Sequence, residues 1–80
     1  MDLRKITDRD LIVFLVSKGF EIVKAQKDLA RNRSIIYFYN SEELKKSILG
    51  YVNKSEKINI SDYIAAEKRV KTLFYLQKSS

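Results

Sequence analysis

Apolar residues near the start of the chain recur at the spacing of one face of a helix. The residues in this set are Leu11, Ile12, Phe14, Leu15 and Val16. Thr7 is a candidate N-cap whose hydroxyl would accept from an amide three residues on, with Asp10 near the acidic position of a capping box. Gly19 follows at a position that favours a left-handed C-terminal cap. The pattern predicts a first helix that runs to about Lys18.

The next apolar segments alternate between two faces, as strands do. Residues 20–25 and residues 34–39 are rich in β-branched and aromatic side chains. The polar stretch between them, residues 27–33, contains Asp28 and Asn32, which tolerate turn conformations. The alternation therefore predicts a two-stranded antiparallel β-hairpin, with a loop longer than a two-residue turn.

A second helix is predicted directly after the hairpin. Asn40 stands three residues before Glu43, which is the spacing of a helix cap and its partner acid. Apolar residues then recur at helical spacing as far as Val52, and a polar connector follows at residues 53–57.

A third helix is predicted at the end of the chain, capped by Asn59 or Ser61 and running to about Gln77. The positions that share its core-facing side are Tyr63, Ala66, Val70, Leu73, Phe74 and Gln77. The predicted fold is α+β, with the order helix, two-stranded antiparallel β-hairpin, helix, helix. We expect residues 1–80 to form a single small domain, because so short a chain cannot divide into two cores.

The residue types that most enzymes rely on are missing from the chain. It contains no cysteine and no histidine, which removes disulfides, thiolate zinc sites and the commonest general base. Its two glycines, Gly19 and Gly50, are too far apart for a phosphate-binding glycine loop. The paired acids within residues 8–10 and 42–43 lie in predicted first helical turns, where they favourably meet the helix dipole. We therefore expect a non-enzymatic protein with no cofactor, no metal and no small-molecule substrate.

The apolar segments also bear on localisation. The N-terminal residues lack the basic start and the hydrophobic stretch of a secretory signal. The longest apolar run, residues 11–16, is far shorter than the roughly 20 residues that span a bilayer. We expect a cytoplasmic protein that makes no membrane contact.

Sixteen basic residues against ten acidic ones give a net charge of +6, spread over both halves of the chain. One basic cluster lies at the predicted hairpin loop and consists of Lys24, Lys27, Arg31 and Arg33. A basic hairpin can enter a DNA groove or follow phosphates, and the segment Arg31-Asn32-Arg33 suits bidentate contacts to base edges. The alternative is an ordinary solvated loop.

A second basic cluster follows one stripe of the third predicted helix. Its members are Lys68, Lys71, Tyr75 and Lys78. Such a stripe can follow a nucleic-acid backbone while its aromatic ring stacks on a base. A solvated helix face explains it equally well, and Glu67 beside the stripe counts against nucleic acid.

The second predicted strand carries apolar or aromatic residues at every position from Ile35 to Tyr39. Helices covering one face would leave exposed either the pair Ile36 and Phe38 or the set Ile35, Tyr37 and Tyr39. Monomers seldom leave such a patch bare. The pattern therefore predicts a homodimer, by strand pairing, or a contact with a host protein.

The segment order resembles a family of small uncharacterised domains found in bacterial phages and mobile elements. The residues that carry the resemblance, within residues 6–76, are Thr7-Asp8, Leu11, Phe14-Leu15, Lys18-Gly19-Phe20, Ile36-Tyr-Phe-Tyr39, Glu42-Glu43-Leu44, Ile60-Ser-Asp-Tyr63 and Lys71-Thr-Leu-Phe-Tyr75. These motifs are mostly caps, core positions and turns, so the resemblance implies a fold and no chemistry. It also implies an accessory protein of a phage or integrated element in a bacterial host.

The leading hypothesis from the sequence is a small accessory protein that binds nucleic acid through the hairpin loop and the third helix, without catalysis. The alternative is a protein-interaction module, such as an inhibitor of a host complex, that uses the aromatic strand and makes no contact with nucleic acid.

Overall fold

A computed structural model describes residues 2–79 of the chain, with side chains for residues 2–77. The elements are β1 Leu3–Ile6, α1 Arg9–Ser17, β2 Lys24–Asp28, β3 Arg33–Tyr39, α2 Glu42–Val52 and α3 Ile60–Ser79. The α+β class and the three predicted helices are confirmed. The predicted order is incomplete, because a strand precedes α1.

The sheet has three antiparallel strands in the order β1-β3-β2, so the predicted two-stranded hairpin is wrong. The sequence pattern does not predict strand β1, because Arg4 and Lys5 are adjacent at its centre and its four residues show no alternation of apolar and polar side chains. Its conformation comes from pairing with β3, where Ile6 lies opposite Ile36. A segment whose own sequence pattern is weak thus becomes a strand because its backbone forms hydrogen bonds with a central strand.

Strand β2 lies later in the chain than residues 20–25, the segment predicted from alternation. It spans Lys24–Asp28, and the loop shortens to residues 29–32. Phe20 and Ile22 pack, partly buried, against the core from the segment that leads into the strand. Their apolar spacing therefore reflects core packing, whereas the polar β2 takes its strand conformation from pairing with β3.

Each helix begins after a side chain that accepts from the amide three residues on. The caps are Asp8, Ser41 and Asn59, with O···N distances of 3.2, 3.1 and 3.2 Å. Asn59 was one of the two caps predicted for α3. The predicted caps Thr7 and Asn40 are each wrong by one residue, because a second good capping side chain follows directly at both helix starts.

Helix α1 forms the centre of the core. Its residues 12–16 are all buried, with exposures between 0% and 6%, so neighbours surround it on all sides. The sheet contributes Ile36 and Phe38, α2 contributes Leu44, and α3 contributes Ala66 and Val70. Ala66 and Val70 both belong to the predicted core face of α3, which is thereby confirmed at its centre.

The strand register divides the sheet into an inner face towards the helices and an outer sheet face. Ile6, Ile36 and Phe38 lie on the inner face, in the core. Paired residues share a face and neighbours along a strand alternate. The outer sheet face therefore consists of Leu3, Lys5, Lys24, Gln26, Asp28, Arg33, Ile35, Tyr37 and Tyr39.

If β1 is an integral part of the domain, truncating its buried end must destabilise the fold. Ile6 is 6% exposed, so Ile6→Ala should lower the free energy of unfolding by roughly 2–4 kcal/mol. Ile60→Ala makes the same chemical change at a side chain that is 75% exposed, and should cost less than about 0.5 kcal/mol. Urea denaturation followed by circular dichroism measures both. Equal effects of the two substitutions would show that β1 is dispensable.

Two tyrosines should make the domain sensitive to alkali. Burial, and next the nearby Asp8 and Asp10, raise the pKa of Tyr51 above the ordinary 10.0; burial, and next Asp10, raise the pKa of Tyr63. Because the folded-state pKa is raised, the stability from each neutral phenol is fully present below about pH 10 and is lost as the pH rises through the folded value.

Replacing these phenols should therefore flatten the alkaline loss of stability. The Tyr51→Phe, Tyr63→Phe double variant should retain more of its neutral-pH melting temperature above pH 10 than the parent chain does. Tyr75→Phe is the control at a side chain that is 69% exposed and should follow the parent. Thermal melts across the alkaline range test this, and parallel curves for all three proteins would contradict it.

Candidate nucleic-acid interface

A basic groove runs along one end of the domain, between the hairpin and α3. It consists of two depressions of about 250 and 260 Å³ that meet at Arg9 and Phe74, which line both. We call it the hairpin–helix groove. Its residues are Thr7, Arg9, Lys27, Asn32, Arg33, Ser34, Lys71, Phe74 and Tyr75.

The fold delivers these side chains from three parts of the chain. Lys27 lies opposite Ser34 in the β2–β3 ladder, next to the loop where Asn32 turns with a φ of 50°. Arg9 is the first residue of α1 and lines both depressions. Lys71 and Tyr75 are one helical turn apart on α3, so both project to the same side.

The charge in the groove is almost entirely positive. Arg33 donates from its Nε to Asp28 Oδ2 at 3.4 Å, which partly neutralises that one cation. Within the part of the chain that the structure describes, no carboxylate forms an ion pair with Arg9, Lys27 or Lys71. Phe74 contributes apolar surface where the two depressions meet. Unpaired cations around an aromatic ring suit an anionic ligand that also carries flat apolar groups.

The structure unites part of the two clusters predicted from the sequence. Lys27 and Arg33 from the hairpin cluster line the same groove as Lys71 and Tyr75 from the α3 cluster. Sequence spacing gave no reason to expect this meeting, because some forty residues separate the two clusters.

Other predicted residues lie apart from the groove. Arg31 is exposed in the loop, and Lys24 lies near the far end of β2 with its Nζ 5.3 Å from the centre of the Tyr37 ring. Lys68 lines a separate depression with Arg69 on another side of α3. The side chain of Lys78 lies outside the described residues.

Arg9, Asn32 and Phe74 are groove residues that sequence reasoning did not propose as ligands. Arg9 stands between two acids at a helix start, so its local sequence indicates helix capping and nothing else. Asn32 belongs to the segment Arg31-Asn32-Arg33, which suits contacts to base edges, but the basic cluster predicted from the sequence does not include it. Phe74 was predicted on the core side of α3, where it is indeed partly buried, and its remaining surface faces the groove.

The residues predicted to contact a protein partner all lie on the outer sheet face. Tyr39 is 49% exposed and pairs across the strands with Leu3, which is 36% exposed. Ile35 is only 8% exposed and offers little surface to a partner. Because β3 is the central strand, with β1 on one side and β2 on the other, it has no free edge for pairing with a second copy. Strand β3 itself therefore cannot pair edge to edge with a second copy, while a homodimer or a contact with a host protein stays a prediction.

The described residues also bear on metal ions and membranes. Among them, no three acidic side chains cluster closely enough to hold a metal ion. No helix in the described part of the chain combines the length and the apolar character needed to cross a membrane.

Comparison with protein families identifies a domain family that matches most of the chain. The family model described as a domain of unknown function, DUF5659, matches residues 1–76. No curated protein and no solved structure matches the chain. The match covers nearly the whole domain, from β1 through most of α3, and agrees with the uncharacterised family character inferred from the sequence. The chain belongs to the DUF5659 family of domains of unknown function.

Proposed function

We propose that this protein is a non-enzymatic nucleic-acid-binding protein that holds the phosphate backbone in the hairpin–helix groove. The observation that carries the proposal is the meeting of two separate basic clusters, with Arg9 and Phe74 between them. Phosphate contacts supply most of the affinity in non-specific binding, and they require cations that are free to pair. Arg9, Lys27 and Lys71 satisfy that requirement.

The placement of nearby acids supports the same function. Asp8 and Asp10 flank Arg9 in the sequence and would oppose an anionic ligand if they shared the groove. Neither carboxylate lines it: Asp8 accepts from the Leu11 amide as the cap of α1, and Asp10 is absent from the lining of both depressions. The lining of the groove therefore contains four cationic side chains and no carboxylate.

The biological setting in this proposal comes from the family resemblance. A small phage or mobile-element accessory protein that acts in the cytoplasm of a bacterial host would use such a groove to escort or regulate nucleic acid without chemical conversion. The net charge of +6 would speed its encounter with a polyanion.

A protein-interaction module without nucleic acid is the second candidate. One observation favours it, the exposed apolar pair Leu3 and Tyr39 on the outer sheet face. Against it, the lysines Lys5 and Lys24 flank Tyr37 on the same face, which reduces its apolar character. A host protein on this face would require acidic groups opposite these lysines.

Removing groove cations should weaken binding and reduce its dependence on salt. The Lys27→Ala, Lys71→Ala variant should bind short DNA duplexes less tightly at low salt, with a log–log salt slope smaller by about 1 for each phosphate that the variant no longer neutralises. Fluorescence anisotropy across a range of salt concentrations measures both quantities. The melting temperature should change little, because Lys71 is exposed, Lys27 is only partly buried, and neither forms an ion pair among the described residues.

The matched control removes the same charge from elsewhere. Lys46 and Lys57 are exposed and lie outside the groove, so the Lys46→Ala, Lys57→Ala variant should retain more affinity than the groove variant. Equal weakening in the two variants would mean that only net charge matters. If the parent protein binds no nucleic acid even at low salt, the proposed function is wrong.

A further inference from the structure

The outer sheet face combines two aromatic rings, the exposed Tyr39 and the partly buried Tyr37, with cations. Tyr37 and Tyr39 project from the same side of β3, and their Cα atoms lie roughly 7 Å apart, since a strand rises about 3.4 Å per residue. Lys5 and Lys24 pair with Tyr37 from the two neighbouring strands. Tyr37 therefore has a lysine opposite it on each neighbouring strand.

The two tyrosines differ in their contacts. The hydroxyl of Tyr37 donates to Gln26 Oε1 at 3.1 Å, which restrains the ring across the strands. Lys24 Nζ lies 5.3 Å from the centre of that ring, within the range of a cation–π contact. Tyr39 is about half exposed, and no cation among the described residues lies over its ring. The Tyr39 ring is therefore more accessible to a ligand than the Tyr37 ring.

We infer that the outer sheet face stacks the unpaired bases of a single-stranded nucleic acid. This inference rests on the proposed function and narrows its ligand from nucleic acid in general to single strands. Aromatic rings on a sheet bind bases because every base has a π-face, while neighbouring lysines pair with the phosphates between them. A duplex hides its base faces and could use only the phosphate contacts.

The position of Arg33 connects this face with the groove. Arg33 lines the hairpin–helix groove and, by the strand register, begins the same row of side chains that continues through Ile35 to Tyr37 and Tyr39. A strand held by its phosphates in the groove can therefore continue along β3 onto the two rings. On binding, the long and flexible side chain of Lys24 would leave the Tyr37 ring and pair with a phosphate.

Charge favours this occupant over a second copy of the chain. A two-fold interface places the same patch on both partners, so Lys5 and Lys24 of each copy would be brought close to those of the other. Asp28, the acid that the strand register places on the outer sheet face, already pairs with Arg33. Repulsion between the lysines would oppose a dimer, whereas a polyanion meets them favourably.

The test compares three probes that carry the same kind of phosphates: a short oligothymidylate, an abasic strand of equal length, and a duplex. At low salt the parent protein should bind the oligothymidylate at least about fivefold more tightly than the abasic strand. Tyr37→Leu, Tyr39→Leu should abolish that difference and leave abasic and duplex binding unchanged. Tyr37→Phe, Tyr39→Phe keeps both rings and should keep the preference for the oligothymidylate, although it loses the hydrogen bond from Tyr37 to Gln26.

The two levels of the proposal fail differently. If no probe binds at low salt, the proposed function fails and this inference with it. If all three probes bind equally well and the leucine variant matches the parent, the groove proposal stands and base stacking is wrong. The inference is also overturned if light scattering shows a dimer that Tyr37→Lys converts to a folded monomer, because a second copy then occupies the face. A preference for oligothymidylate in the parent that the leucine variant lacks and the phenylalanine variant keeps supports it.

Discussion

The burial of α1 on all sides is the constraint on which the rest of the structure depends. A helix with five consecutive buried residues cannot lie at the edge of a two-layer domain with one face in water. It must have a sheet on one side and other helices on the rest. Phe14 illustrates this, because it is 1% exposed and packs against Tyr51 of α2 with ring centres 5.1 Å apart and ring planes tilted by 47°. The sheet, α2 and α3 therefore take positions around α1.

Strand β3 plays the corresponding part within the sheet. Its inner side chains, Ile36 and Phe38, complete the core under α1, and its two edges are occupied by β1 and β2. Only the outer side of β3 remains available to solvent, and there the sequence places tyrosines, which tolerate water at one end and apolar contact along the ring. The inner side chains of β3 thus pack in the core, while its outer side chains form part of the surface.

The hairpin–helix groove is a consequence of the same arrangement. Because α1 lies between the sheet and α3, its first residue, Arg9, stands where the hairpin end approaches the second half of α3. The long α3 extends past its buried residues Ala66 and Val70, so Lys71 and Tyr75 reach this end of the domain. The groove therefore forms where three elements meet, and none of them contains it alone.

The sequence by itself determined the features that depend on neighbouring residues. Helical spacing located all three helices, Gly19 follows α1 with a φ of 98° as expected, and the alternation of residues 34–39 identified the central strand. It also identified Lys27, Arg33, Lys71 and Tyr75 as candidate ligands, though as members of two unrelated clusters. Local steric preferences, capping and periodicity act within a few residues, and they can therefore be recognised in the sequence alone.

Only the tertiary structure decided the features that depend on distant residues. The strand character of β1 and β2 comes from hydrogen bonds to β3, because neither segment has an alternating pattern strong enough to act alone. The packing of α1 on the inner sheet face decided that Tyr37 and Tyr39, and not Ile36 and Phe38, face outward. Arg9 lines the groove because the packing of α1 places its first residue between the hairpin and α3. Strand pairing and core packing bring together residues that are far apart in the chain, and a local sequence pattern does not show which distant residues a segment will contact.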